Sequence, residues 1–260
     1  MQAMARLTRI LATFAAVAIG AAAQIEIFIV YDNTAAEPGF IEDWGFSAVV
    51  SSGGSKILFD SGADPDVFMR NLRRLDIDPA SITAAVISHH HADHRGGIFR
   101  FTLKNRSAPV YFLDSFPGEV FDLARAVAMR VQRVKAPQEI APGIFTTGEI
   151  PGRIPEQALV VKSSSGMVIL IGCGHPGVAK MVEAAARQHP SERIRLLLGG
   201  FHMMRWSEEQ IQAEIERLKA LGVEQVAPAH CTGERAKRLF RRAWGPGYLA
   251  CGAGRRIVVR

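Results

Sequence analysis

The segment Ser88-His89-His90-His91-Ala92-Asp93-His94 reads as His-x-His-x-Asp-His and packs four potential metal ligands into six residues. Imidazole and carboxylate donors suit zinc, and also manganese or iron. Side chains two apart on an extended chain point the same way, so His89 and His91 can converge on one ion while His90 faces elsewhere. Asp93 and His94, beyond a turn, can reach a second ion nearby. A surface histidine cluster is the plain alternative. The preceding run, Ala84-Ala85-Val86-Ile87-Ser88, argues against it, because it is short, apolar and partly β-branched, as a buried strand would be. Gly96-Gly97 follows the cluster, so the ligands sit at a strand end where the chain turns toward a helix.

The other histidines follow the same rule. The chain has eight, and only His189 lies outside four segments that each follow a strand-like run. Met167–Ile171 leads into Gly172-Cys173-Gly174-His175, Ile194–Leu198 into Gly199-Gly200-Phe201-His202, and Val223–Pro228 into His230-Cys231. Scattered core histidines would not partition this way.

The pattern resembles the metallo-β-lactamase superfamily, whose hallmark is His-x-His-x-Asp-His after a buried strand. Ile57-Leu58-Phe59-Asp60-Ser61-Gly62 is similar to that superfamily's upstream strand ending in Asp and Gly. Further segments resemble one branch, dihydropterin-6-methyl-4-(ribofuranosyl)aminobenzene 5′-phosphate synthase or metal-dependent hydrolase: Asp32-Asn33-Thr34, Asp43-Trp44-Gly45-Phe46-Ser47, Gly172-Cys173-Gly174-His175-Pro176-Gly177, Gly199-Gly200-Phe201-His202 and His230-Cys231-Thr232-Gly233. The matched stretches run from Ile25 to the C-terminus. The resemblance implies an α/β fold, the four-layer αβ/βα sandwich. It implies His89 and His91 on a first metal, Asp93 and His94 on a second, and His230 joining the second. It also implies an aspartate bridging both ions, but where that residue is expected this chain has Gly172-Cys173-Gly174-His175. His175 is the better ligand candidate there. Cys173 is either a soft ligand or a small buried residue in a tight turn. One or two zinc ions are expected, with manganese or iron as alternatives.

A metal lowers the pKa of its bound water from about 15.7 toward about 7, supplying hydroxide near neutrality. The expected activity is therefore metal-dependent hydrolysis of a small ester, lactone or phosphorylated molecule, with Asp93 ligating and orienting the nucleophile. His202 is a ligand, a proton donor or a contact to substrate phosphate. Asp60 either orients a ligand histidine or bonds the backbone of its own turn. Asp32 and Asn33 either line the mouth or form an ordinary turn. Gly-x-Ser-x-Gly and a Gly-rich nucleotide loop are both absent. Two other readings stand beside hydrolysis: the pterin-linked synthase, whose folate-like precursors are normally cytosolic, and a non-catalytic metal-binding protein.

Arg6 and Arg9 precede the apolar run 10–19 and an Ala-rich end at Ala23, the layout of a secretory signal over residues 1–23. Export to the periplasm or outside is expected, with membrane attachment only if that segment stays uncleaved. The metallo-β-lactamase-like domain is expected over 25–260. Removing the two arginines from a net charge of +6 leaves +4 (6 − 2), an excess that permits an anionic small-molecule substrate without arguing for nucleic acid. Arg235, Lys237, Arg238, Arg241 and Arg242 fit a solvated helix face, or attraction of a phosphate. Cys173 and Cys231 read as site residues first and a disulfide second; Cys251 reads as an ordinary buried residue.

The coarse pattern gives hairpins turning at Ser52-Gly53-Gly54 and Ser163–Gly166, and a helix capped by Asp64-Pro65. It gives helices over 120–131, 177–188 and from Ser207 to Leu221, and a loop from Ala141 to Pro155.

Overall fold

The computed structural model describes residues 24–259; the expected signal over 1–23 lies outside the described residues. The first half runs β1 (Ile25–Tyr31), β2 (Ser47–Ser52), β3 (Ser55–Phe59), α1 (Pro65–Arg74), β4 (Ala84–Val86), α2 (Ala92–Arg95), α3 (Ile98–Lys104), β5 (Val110–Leu113), α4 (Gly118–Ala126) and β6 (Val131–Val134). The second half runs β7 (Gln138–Ala141), β8 (Ile144–Thr146), β9 (Leu159–Ser163), β10 (Gly166–Ile171), α5 (Val178–Gln188), β11 (Ile194–Gly200), α6 (Glu208–Ala220), β12 (Val226–Ala229), α7 (Glu234–Trp244) and β13 (Arg256–Val259). A seven-stranded sheet has the order β13-β1-β2-β3-β4-β5-β6, and a six-stranded sheet the order β12-β11-β10-β9-β8-β7.

Strand alternation builds the layers. Ile25, Ile27 and Ile29 of β1 and Ile57 and Phe59 of β3 face Leu159, Val168, Leu170, Leu196 and Leu198 across the space between the sheets. The opposite faces are apolar as well. Leu58 and Ile87 pack under Phe68, Leu72 and Phe101 of α1 and α3, while Ile169 and Leu197 pack under Met181, Ile215 and Phe240 of α5, α6 and α7. Central strands buried on both faces read as continuous apolar runs, as β10 and β11 do. The result is helix, sheet, sheet, helix: the expected four-layer αβ/βα sandwich. Cys251 packs partly buried at the edge of the inter-sheet core.

The pairing sets the site. Strands β3 to β6 are parallel, and so are β10 to β12. The carboxyl ends of β4, β10, β11 and β12 therefore lead straight into the histidine segments, the place where open α/β sheets receive ligands. Close packing at that end depends on glycine. A Cβ on Gly199, whose φ is +124°, would lie 1.8 Å from the Ile171 carbonyl oxygen.

Local signals mostly held. Asp64 accepts hydrogen bonds from Asp66 N and Val67 N, capping α1. Ser207 and Gln210 form a reciprocal capping box on α6. The expected helix over 120–131 instead ends at Ala126: Ala128 takes φ 53°, and Val131 opens β6. The expected loop from Ala141 to Pro155 contains β8, which pairs with both β7 and β9. The short strands β6, β7 and β8 carry few apolar residues in a row, so pairing partners rather than local composition make them strands.

Candidate metal centre

The four histidine segments meet at one place and make two adjoining triads. His89, His91 and His175 present ligand atoms within 4.8 Å of one another, as do Asp93, His94 and His230. In the first triad His89 Nε2 stands 3.1 Å from His91 Nδ1, and the His175 ring centroid is 4.7 Å from that of His89. In the second, His230 Nε2 lies 3.3 Å and His94 Nε2 3.8 Å from Asp93 Oδ2. The rings of His89 and His94 are 4.2 Å apart, so the triads adjoin. His90 turns aside toward Phe116.

Hydrogen bonds fix which nitrogen each ring presents. Asp60 is wholly buried and takes φ 58°. Its Oδ2 accepts from His94 Nδ1 at 2.7 Å and from Ser88 Oγ at 2.7 Å, while Oδ1 accepts from Ser88 N. Ser88 Oγ has given its only proton to Asp60, so it accepts from His89 Nδ1 at 2.9 Å. One carboxylate thus turns the Nε2 atoms of both His89 and His94 toward the centre. For His230 the same task falls to Asn33, whose Oδ1 accepts from Nδ1 at 2.8 Å; Asp32 Oδ1 accepts from His230 N at 2.7 Å. The turn reading of Asp32 and Asn33 is therefore corrected: both hold His230 across the join of the two halves.

The electrostatics match closely packed imidazoles. Burial, then the neighbouring rings, pushes His89 well below the ordinary histidine range and His175 down to about 3. Burial also works against charge on His94, but Asp60, with Asp93, outweighs it and raises that ring to about 9. Burial would raise Asp93, yet His230 and His94 hold it well below the usual carboxylate range. Among the described residues, His175 Nε2 and His230 Nε2 are buried without a hydrogen-bond partner, although Asp93 Oδ2 stands 3.3 Å from the latter. Buried polar atoms are seldom left so. Ring nitrogens and a carboxylate gathered in two triads, with two of those nitrogens buried and unpartnered, are donors that a divalent cation at each would satisfy, so the donor set fits the metal expected from the sequence.

Among the described residues, three of the five non-glycine residues with positive φ, Asp60, His202 and His230, are here. Such strain persists where surrounding structure enforces it, and it concentrates at functional sites.

A family model described as the metallo-beta-lactamase superfamily matches residues 45–230. The chain belongs to that superfamily. It is 29% identical, over 82% of its length and 88% of the other protein, to a Methanocaldococcus jannaschii protein named 7,8-dihydropterin-6-methyl-4-(beta-D-ribofuranosyl)-aminobenzene-5'-phosphate synthase. It is similar to the crystal structure of Tm1679, a metal-dependent hydrolase of the beta-lactamase superfamily: TM-score 0.76, 29% identity, covering 90% of this chain and 99% of that one. The metallo-beta-lactamase fold protein YhfI from Bacillus subtilis aligns with TM-score 0.68 at 12% identity over 91% of this chain and 100% of that one, a likeness of fold.

Against the superfamily's pattern, no carboxylate arrives at the end of β10. Cys173 does, with Sγ 3.2 Å from His94 Nε2. The turn carrying it is held by Glu156, a residue that sequence reasoning missed. Its buried carboxylate accepts from Cys173 N at 2.8 Å, Gly174 N at 3.1 Å and His175 N at 2.9 Å. Burial pushes Glu156 upward despite those three donors. Gln157 beside it is buried too, donating to Ile87 O at 2.8 Å and so joining the second sheet to the strand that carries Ser88. Only the strand context of Pro155-Glu156-Gln157-Ala158, two polar residues leading into the apolar β9, could have signalled either.

Two clefts open beside the triads and meet at His202. One, of about 420 Å³, is lined by His91, Arg153, Ile154, His175 and His202. The other, of about 710 Å³, is lined by Trp44, His202, Met204, Arg205, Trp206 and Cys231. Met204 and Trp44 are large apolar side chains left exposed there. His202 belongs to neither triad. It is exposed, and its hydrogen bond with Cys231 raises it above the ordinary histidine range. Arg235, Arg238, Arg241 and Arg242 are exposed on α7, and Arg241 stacks on Tyr248.

Proposed function

We propose that the protein is a metal-dependent hydrolase of a small ester, lactone or phosphorylated molecule. The observation that carries this reading is the pair of adjoining triads, with His175 Nε2 and His230 Nε2 buried and unpartnered. A cation held there would supply water acidic enough to ionise near neutral pH and a positive charge beside a carbonyl or phosphoryl oxygen. The residues divide the remaining work. His89, His91 and His175 hold one position; Asp93, His94 and His230 hold the other. Asp60, Ser88 and Asn33 keep the rings in register. Asp93 has a partly exposed carboxylate and can orient the attacking water. His202, at the junction of the clefts and raised by Cys231, can pass a proton to the leaving group. Trp44, Met204 and Trp206 offer apolar contact, and Arg153 and Arg205 favour an anionic group. Zinc is the first expectation for the cation, and export, supported by the sequence over 1–23, is part of the reading.

The test is turnover by protein stripped of metal and reloaded with zinc or manganese, on one panel of phosphate esters and another of lactones and carboxylic esters. Turnover that disappears with chelation and returns with metal is expected. No turnover of either panel by the reloaded protein would overturn the reading and favour a metal-binding protein without catalysis. The 29% identity to the named synthase supports a second reading, a synthase of the same kind. Formation of the product in that protein's name, rather than hydrolysis, would decide for it.

A further inference from the structure

We propose that the Cys173 thiolate is the bridging ligand of this metal centre, making it a mixed sulfur–nitrogen–oxygen site selective for zinc over manganese. Cys173 Sγ forms a cluster within 4.8 Å with His89 of the first triad and His94 of the second. A side chain that groups with one member of each triad stands between the two positions. The sulfur is 3.2 Å from His94 Nε2, whose Nδ1 is already committed to Asp60, so Nε2 and Sγ address the same space.

The backbone is built to keep the sulfur there. Glu156 clamps three successive amides of the turn. A Cβ on Gly172 would lie 2.1 Å from Ser88 Oγ, and Gly174 has φ +78°. The turn therefore packs directly against the Ser88 hydroxyl and Asp60 carboxylate that aim His89 and His94, with no room for a side chain at Gly172. Cys231 Sγ lies 3.2 Å from Cys173 Sγ, and with Cys173 and His202 it forms a further group of ligand-capable atoms beside the triads. Its thiol hydrogen-bonds the Cys173 sulfur. On cation binding the Cys173 S–H bond breaks, its proton leaves to solvent, and the sulfur lone pair forms the metal–sulfur bond. Thiolate favours zinc over oxygen-seeking manganese.

The inference rests on the metal centre of the proposed hydrolase but not on turnover. Its test is the absorption spectrum of protein loaded with cobalt(II), read beside cobalt affinity. The wild type is expected to show an intense sulfur-to-cobalt charge-transfer band in the near ultraviolet. C173S should lose the band and bind the second equivalent of cobalt at least tenfold more weakly. C173D should lose the band and keep both equivalents, since a carboxylate restores the bridge; it also serves if C173S does not fold. C231S should keep the band. A wild type that binds cobalt without the band, or a band that survives in folded C173S or C173D, overturns the proposal. A normal band with no turnover would instead count against hydrolysis alone.

Discussion

Asp60 Oδ2 lies 2.7 Å from His94 Nδ1 and 2.7 Å from Ser88 Oγ, and Ser88 in turn holds His89. A single buried carboxylate therefore sets the tautomer of one histidine in each triad. Loss of its charge should be felt at both metal positions.

Asp60→Asn tests this relationship. Asn keeps the shape but replaces one acceptor oxygen with an NH2 donor. If that group faces His94 Nδ1, the ring must carry its proton on Nε2 and cannot ligate. If it faces Ser88 N, two donors collide. Metal affinity should fall about 10–100-fold, measured by competition with a chromophoric chelator, with circular dichroism showing the fold retained. Unchanged affinity would mean that Asp60 does no more than brace its turn.

Asn33 does for His230 what Asp60 does for His94, but from the mouth of the site. Its Oδ1 also accepts from Gly45 N at 3.1 Å, so it pins the loop bearing Trp44. Asn33→Ala should weaken metal binding about tenfold or more and alter KM as the Trp44 loop loosens. Asn33→Asp, which keeps an acceptor facing Nδ1, should restore most of the metal affinity. Equal loss in both variants would argue against an orienting role.

The histidine-bearing segments were legible because each is a short motif after an apolar strand, and strand-to-loop junctions at one sheet edge bring distant sequence together. His89, His91, Asp93, His94, His175 and His230 all converge. Asp60 was legible only as one of two roles, since Asp-Ser-Gly is also an ordinary turn. Asn33 was legible only as lining the mouth or closing a turn, and Glu156 not as a site residue at all. Their partners lie 197 and 17 residues away, and no local pattern marks a carboxylate that accepts from the backbone of another turn. In the fold, long strands and capped helices announced themselves. Strands β6 to β8 did not, because they owe their form to neighbours.

The charge state of His94 makes metal binding depend on pH. In the metal-free protein Asp60 holds this ring protonated up to about 9, and a cation must displace that proton. Affinity should therefore rise with pH from near neutrality and level off above about 9, with about one proton released per cation at that position. Calorimetry in buffers of different ionisation enthalpy measures the release. The linkage has a defined sign. A folded-state pKa above the ordinary 6.5 stabilises the metal-free fold fully below pH 6.5, and that contribution fades as pH rises through about 9. Asp60→Asn should flatten both trends. A proton release that is unchanged in that variant would place the proton elsewhere.

Glu156 offers the sharpest separation of stability from chemistry. It touches no member of the triads through its side chain except the backbone amide of His175, yet it closes the turn on which Cys173 and His175 are mounted. Glu156→Gln preserves volume but exchanges one oxygen for an NH2 group. That group must face at least one backbone N–H with both buried, and each stranded donor costs about 1–3 kcal/mol. Chemical denaturation should show the loss as a lower midpoint with an unchanged slope. Metal affinity should fall with it, because His175 Nε2 is aimed by that backbone. Excess zinc should recover part of the stability, since a ligand that binds only the folded form stabilises it by mass action. A variant as stable as the wild type would mean that the turn closes without its carboxylate. A destabilised variant with wild-type metal affinity would mean that Glu156 supports the fold but not the position of His175.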